Sequence, residues 1–172
     1  MRDYRAKVQE AARLRDGEPL YNGSLDHAAV LAEEMFNNAE TDVNILSGNL
    51  NARVYGTSNI IEKARQFLSD TDHKIRIILE NPDKVDPVDH PFIREFGNKN
   101  DDVEFRSLPD DMKDEINYHF IVMDSDSYRF EKDKGDPSAI AAFGDITGGK
   151  NLTSVFDTLW NESKEIDFLK SN

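Results

Sequence analysis

Apolar positions along the chain recur first at helical and then at strand spacing. Tyr4, Val8, Ala11 and Ala12 make a thin stripe in residues 2–15, which Asp16-Gly17 and Pro19 end. So narrow a stripe predicts an appended arm or an oligomer contact rather than a core helix. A fuller helical pattern follows, with Ser24 as its cap and Leu25, Ala28, Ala32, Met35, Phe36 and Ala39 on one face. Val43 to Leu46 reads as a short strand that breaks at Ser47-Gly48-Asn49. Ile60, Ile61, Ala64, Phe67 and Leu68 mark a helix, with Asn59 and Glu62 spaced as a capping box. In "HKIRIILE", Ile75, Ile77 and Leu79 share a face and Ile78 starts filling the other, the sign of a strand covered on both sides.

A loop with Pro82, Pro87 and Pro91 leads to a short helix around residues 92–96, then to a strand through Val103 and Phe105. Residues 118–123 form a further strand. "SYRFE" and "SAIAAFGD", either side of a Gly-Asp-Pro turn, predict a hairpin. Leu152, Val155, Phe156, Leu159, Trp160 and Ile166 form the broad stripe of a last amphipathic helix. This order predicts an α/β fold in which helices sandwich a single mixed sheet, with parallel pairs from the βαβ units and an antiparallel hairpin. Ligands of such sheets collect beyond the carboxyl ends of the strands, here at Ser47-Gly48-Asn49 and Glu80-Asn81.

The 172 residues fit one domain, divided as a helical arm over 1–20 and an α/β domain over 21–172. The chain has 21 Lys+Arg against 34 Asp+Glu, a net charge of −13. That balance disfavours nucleic acid and anionic lipid as partners. The absence of Cys removes thiolate chemistry and Cys-ligated zinc. With no apolar leader or membrane-length run, a cytoplasmic protein is expected.

Four histidines are present, His27, His73, His90 and His119, with no metal-ligand spacing among them. The acidic loops lack the spacing of a calcium site, so neither a metal nor a cofactor is expected. His119 stands apart because it sits within the apolar run "NYHFIVMD". It reads either as a strand histidine bonded at the sheet edge or as the remains of a catalytic motif. The Gly-rich "GDITGGKN", before the last helix, reads as a strand-to-helix turn whose amides could cradle an anion.

The order of elements, with a His-bearing strand that ends in Asp124 and a Gly at a later strand exit, resembles a phospholipase D-like domain over roughly residues 22–168. The motif of that superfamily is H-x-K-x-x-x-x-D, followed after a hairpin by G-S-x-N. Its His attacks phosphorus, and its Lys and Asn bind the phosphate. Anchored on Asp124, the motif puts Asn117 at the His position and His119 at the Lys position. Anchored on His119, it puts Ile121 at the Lys position and Asp126 at the Asp position. The first register keeps the pattern of apolar run, Asp, then hairpin. The G-S-x-N counterpart is placed at Gly144-Asp145-Ile146-Thr147. Asn117 cannot form a phosphohistidine, and a neutral His is a poorer phosphate ligand than Lys.

The resemblance therefore implies a non-catalytic binding or regulatory domain of a prokaryotic protein, paired as a homodimer. Its candidate ligand contacts are Ser47, Gly48, Asn49, Asn117, His119, Asp124, Gly144, Asp145 and Thr147, and its ligand is a small molecule or a protein. One alternative is a dimeric phosphodiesterase or nuclease with His119 as nucleophile, and Arg53, Arg129 or Lys150 in place of the Lys. Another is an acidic interaction protein of a bacterial defence or toxin system.

Overall fold

The computed structural model describes residues 1–98 and 101–168. Its strands are β1 Leu20–Asn22, β2 Asp42–Ser47, β3 Lys74–Leu79, β4 Val103–Ser107, β5 His119–Met123, β6 Ser127–Glu131, β7 Ala139–Phe143 and β8 Lys164–Ile166. Among the described residues these form one sheet in the order β1-β7-β6-β5-β2-β3-β4-β8. β2, β3 and β4 run parallel, and the other pairs are antiparallel. The helices are α1 Arg2–Leu14, α2 Leu25–Asn38, α3 Ala52–Tyr55, α4 Ser58–Phe67, α5 Pro91–Phe96, α6 Asp110–Lys113 and α7 Ile146–Glu162.

Strand alternation divides the core into two layers. Val43, Ile45, Ile75, Ile77, Leu79, Ile121 and Met123 pack beneath α1, α2, α4 and α5. Leu46, Ile78, Phe120 and Val122 face Phe156, Leu159 and Trp160 of α7. Fully burying each such side chain stabilises the fold by about 1.5–3 kcal/mol. The α/β sandwich with a mixed sheet is the predicted one.

Four local expectations change. α1 is docked rather than appended: Val8 and Ala12 are buried in the main core, and Arg5 pairs with Glu33 of α2 at 2.8 Å. Its thin stripe suffices because ion pairs flank it. The cap of α4 is Thr57, whose Oγ1 accepts from Ile60 N at 3.3 Å, because the helix starts at Ser58 and Asn59 already lies within its first turn. Ile166 lies in β8, beyond the end of α7, and pairs with Phe105. "ITGG" is not a turn but the start of α7, and Asp145 caps it by accepting from Gly148 N at 3.0 Å. Gly149 is needed there because a Cβ would fall on the Ser125 carbonyl oxygen of the β5–β6 turn.

Candidate functional site

β2 ends in Ser47, and Gly48 follows it beside the start of β5. The His119 imidazole lies across the end of β2, where a Cβ on Gly48 would be 3.4 Å from its Cε1, about van der Waals contact. His119 reaches Glu80, just past β3, with Nε2 3.4 Å from Glu80 Oε1. That contact is too poorly aligned for a hydrogen bond, and Nε2 is buried without a hydrogen-bond partner. On the other side, His119 is paired across the strands with Glu131, whose Oε2 lies 3.9 Å from Nδ1.

Each carboxylate is also matched by a cation. Lys134 Nζ donates to both Glu80 oxygens, at 3.0 and 3.2 Å, and to Lys113 O at 2.9 Å. Burial pushes the Glu80 carboxyl up, but His119 and Lys134 outweigh it and hold the group below the usual carboxylate range. Arg129 is 3% exposed. It donates to Asn22 Oδ1 at 3.0 Å, Glu131 Oε1 at 2.5 Å and Pro137 O at 2.9 Å. These groups edge a cleft of about 260 Å³ whose other walls include Asn49, Asn51, Val54, Tyr55 and Asp136. Burial pushes the Tyr55 hydroxyl far up, so it stays uncharged.

Ser47, Gly48, Asn49 and His119 thus come together, at the strand ends where a ligand was expected. Asn117 lies at the same end of the sheet but is exposed outside the cleft lining, its carbonyl accepting from Lys134 N at 2.8 Å. Asp124 sits at the far end of β5. It accepts from Glu40 N at 2.9 Å, Thr41 N at 2.9 Å, Thr41 Oγ1 at 3.0 Å and Arg15 Nη2 at 3.0 Å. That is a structural clamp. Gly144, Asp145 and Thr147 also lie at that far end, because Phe143 is level with Ser127 and Ser127 with Met123. Asp145 accepts from Tyr128 Oη at 2.6 Å and caps α7, while Thr147 is exposed in its first turn.

The sequence reading missed Glu131, Lys134 and Asp136. Glu131 was recoverable: a turn at Asp124–Asp126 sets the hairpin register and puts it opposite His119. Of the cations considered as replacements for the Lys, Arg129 is taken up by Glu131, Arg53 pairs with Asp26 at 3.6 Å on the surface, and Lys150 is exposed on α7. Among the described residues no three His, Asp or Glu side chains are disposed to hold a metal, and no helix is long and apolar enough to cross a membrane.

An antiparallel hairpin is set beside a parallel unit, with helices on both faces, and this is the fold of phospholipase D family structures. Three solved structures share this fold. Nuc of Salmonella typhimurium, a phospholipase D family member, matches with a TM-score of 0.58 at 12% identity over 87% of this chain and 99% of its own. NucT of Helicobacter pylori matches at 0.64 and 11% over 88% of this chain and 100% of its own. TrmBL2, an archaeal chromatin protein described as showing a novel mode of DNA binding, matches at 0.64 and 12% over 96% of this chain. The chain spans only 61% of the length of TrmBL2. The chain belongs to the family described as "Domain of unknown function (DUF7931)", whose model matches residues 24–171. No curated protein matches it by sequence.

Proposed function

We propose that the chain is a non-catalytic phospholipase D-like binding module that takes its ligand in the cleft beside His119. The observation that carries this reading is the charge balance of the site. His119 stands where the resemblance puts a phosphate-binding Lys, and it is boxed between Glu80 and Glu131. The two cations nearby, Arg129 and Lys134, are each neutralised by one of those carboxylates. A phosphodiester entering here would meet carboxylates and no free cation, and Asn117 offers no nucleophile. The net charge of −13 counts against carrying over the DNA binding described for TrmBL2.

The test is hydrolysis of bis(p-nitrophenyl) phosphate by the full chain and by His119→Ala. Both are expected at the buffer rate. A wild-type rate above buffer that is lost in His119→Ala overturns the reading in favour of an enzyme. The proposal includes an isologous homodimer, as implied by the resemblance. Sedimentation equilibrium is expected to return twice the chain mass, and a monomer across the accessible concentration range removes that part.

A further inference from the structure

We infer that the cleft receives a small uncharged ligand carrying several hydroxyl groups. This rests on the reading of the chain as a binding module and names the chemistry of what it binds. The first ground is that the charges deepest in the cleft are already matched, while Asp136, held by the Ser138 amide, stands exposed in water at the edge. Arg129 is closed by Glu131, Asn22 and the Pro137 carbonyl, and Glu80 by Lys134. An anionic ligand would lose its hydration against carboxylates, and a cationic one would find only the exposed Asp136, where a solvated ion pair adds little.

The second ground is the hydrogen-bonding capacity left over. The Asn49 side chain makes no hydrogen bond, and Asn51 uses only its oxygen, accepting from Arg53 N at 3.0 Å. Glu131 Oε2 makes only the 3.9 Å contact with His119 Nδ1. Two amide groups thus offer donors to the cleft, while a carboxylate oxygen of Glu131 accepts. A hydroxyl both donates and accepts, so groups carried on neighbouring carbons can satisfy such a mixed set without bringing charge. Leu25, Val54 and Pro137 supply apolar surface for the C–H faces of the same ligand. The volume of about 260 Å³ falls below the roughly 300–1,000 Å³ of pockets that bury drug-sized molecules, so the ligand is small.

The experiment is calorimetric titration of the full chain with three sets of probes: uncharged sorbitol, myo-inositol and glucose; cationic putrescine; and anionic glycerol 2-phosphate. Saturable heat is expected from at least one uncharged probe, with affinity falling about tenfold in Asn49→Leu. Asn49 is exposed, so the variant keeps the fold, and its melting temperature without ligand is expected to match the wild type. Binding of putrescine or glycerol 2-phosphate with none from the uncharged set overturns the ligand class but leaves a binding module. Polyol binding unchanged by Asn49→Leu overturns the site. Silence from all three sets overturns the inference, while the phosphodiester assay still decides separately whether the chain is an enzyme.

Discussion

Arg129→Ala is expected to destabilise the fold by about 3 kcal/mol, read as a lower urea midpoint at unchanged slope. Arg129 is 3% exposed, and its removal strands two groups. Glu131 loses the cation paired with it and keeps the distant contact with His119, and Asn22 Oδ1 loses its Arg129 donor. Stranding one member of a buried pair costs about 3–5 kcal/mol, and the partial exposure of Glu131 puts this case at the low end. The double variant Arg129→Met with Glu131→Leu separates causes. With both charges gone, the desolvation of the pair disappears with its attraction, so the double variant is expected to be more stable than Arg129→Ala, short of wild type by what Asn22 Oδ1 and the Pro137 carbonyl lose with their donors. A single variant as stable as the wild type would show that the pair is solvated, and with it the cleft floor.

Asp124→Ala is expected to cost a similar amount, about 3 kcal/mol, because backbone amides at the start of β2 lose their acceptor while Arg15 is left with Asp126 and the exposed Glu40. This loss depends on pH, and its sign follows from the shift. Burial pushes the Asp124 carboxyl up, but the amides of Thr41 and Glu40, the Arg15 guanidinium and the Thr41 hydroxyl prevail and hold it below its ordinary value. An acid lowered in the folded state stabilises fully above its unfolded pKa, near 4, and loses that contribution as pH falls through the folded value. The gap between wild type and variant is therefore expected to be widest at neutral pH and to narrow below about pH 4. Asp42 works in the opposite direction, because burial and the Asp124 charge push its carboxyl up, so its ionised form costs stability. Asp124→Asn isolates the charge from the backbone, since φ at this position is +54° and Asn tolerates that conformation better than Ala. Urea titrations at pH 7, 4 and 3 decide the matter; a gap constant over that range contradicts the charge argument.

The strands legible in the sequence are those whose alternation is long enough to count. Ile75 to Leu79 and Phe120 to Met123 declare both faces of the sheet. β1 and β8, of three residues each, are too short to show a period, and Ile166 satisfied a helical stripe by coincidence of spacing. Half of the cleft was readable, because Ser47, Gly48 and Asn49 follow a parallel strand. The rest depended on parity. One strand after β5 returns the chain to the end where His119 sits, and two strands carry it away again. Thus Glu131 and Asp136 line the cleft, whereas Gly144 and Asp145 lie beyond the far end of the sheet. A motif comparison that skips one strand reverses the answer, and residue types alone do not reveal the skip.

The α1 clamp has a consequence for how the chain folds. Arg15 bonds to Asp124 and Asp126 across 109 and 111 residues. At about 5–20 residues per second, the ribosome delivers those partners roughly 5–20 s after Arg15 itself. During that interval the α1 stripe can rest on α2, but Arg15 has only the exposed Glu40 to hold. The clamp closes only when the β5–β6 hairpin forms, so it belongs to the late steps of folding. Contacts made after the rate-limiting barrier slow unfolding without speeding folding. Arg15 is thus placed to set how long the native state lasts more than how fast it is reached.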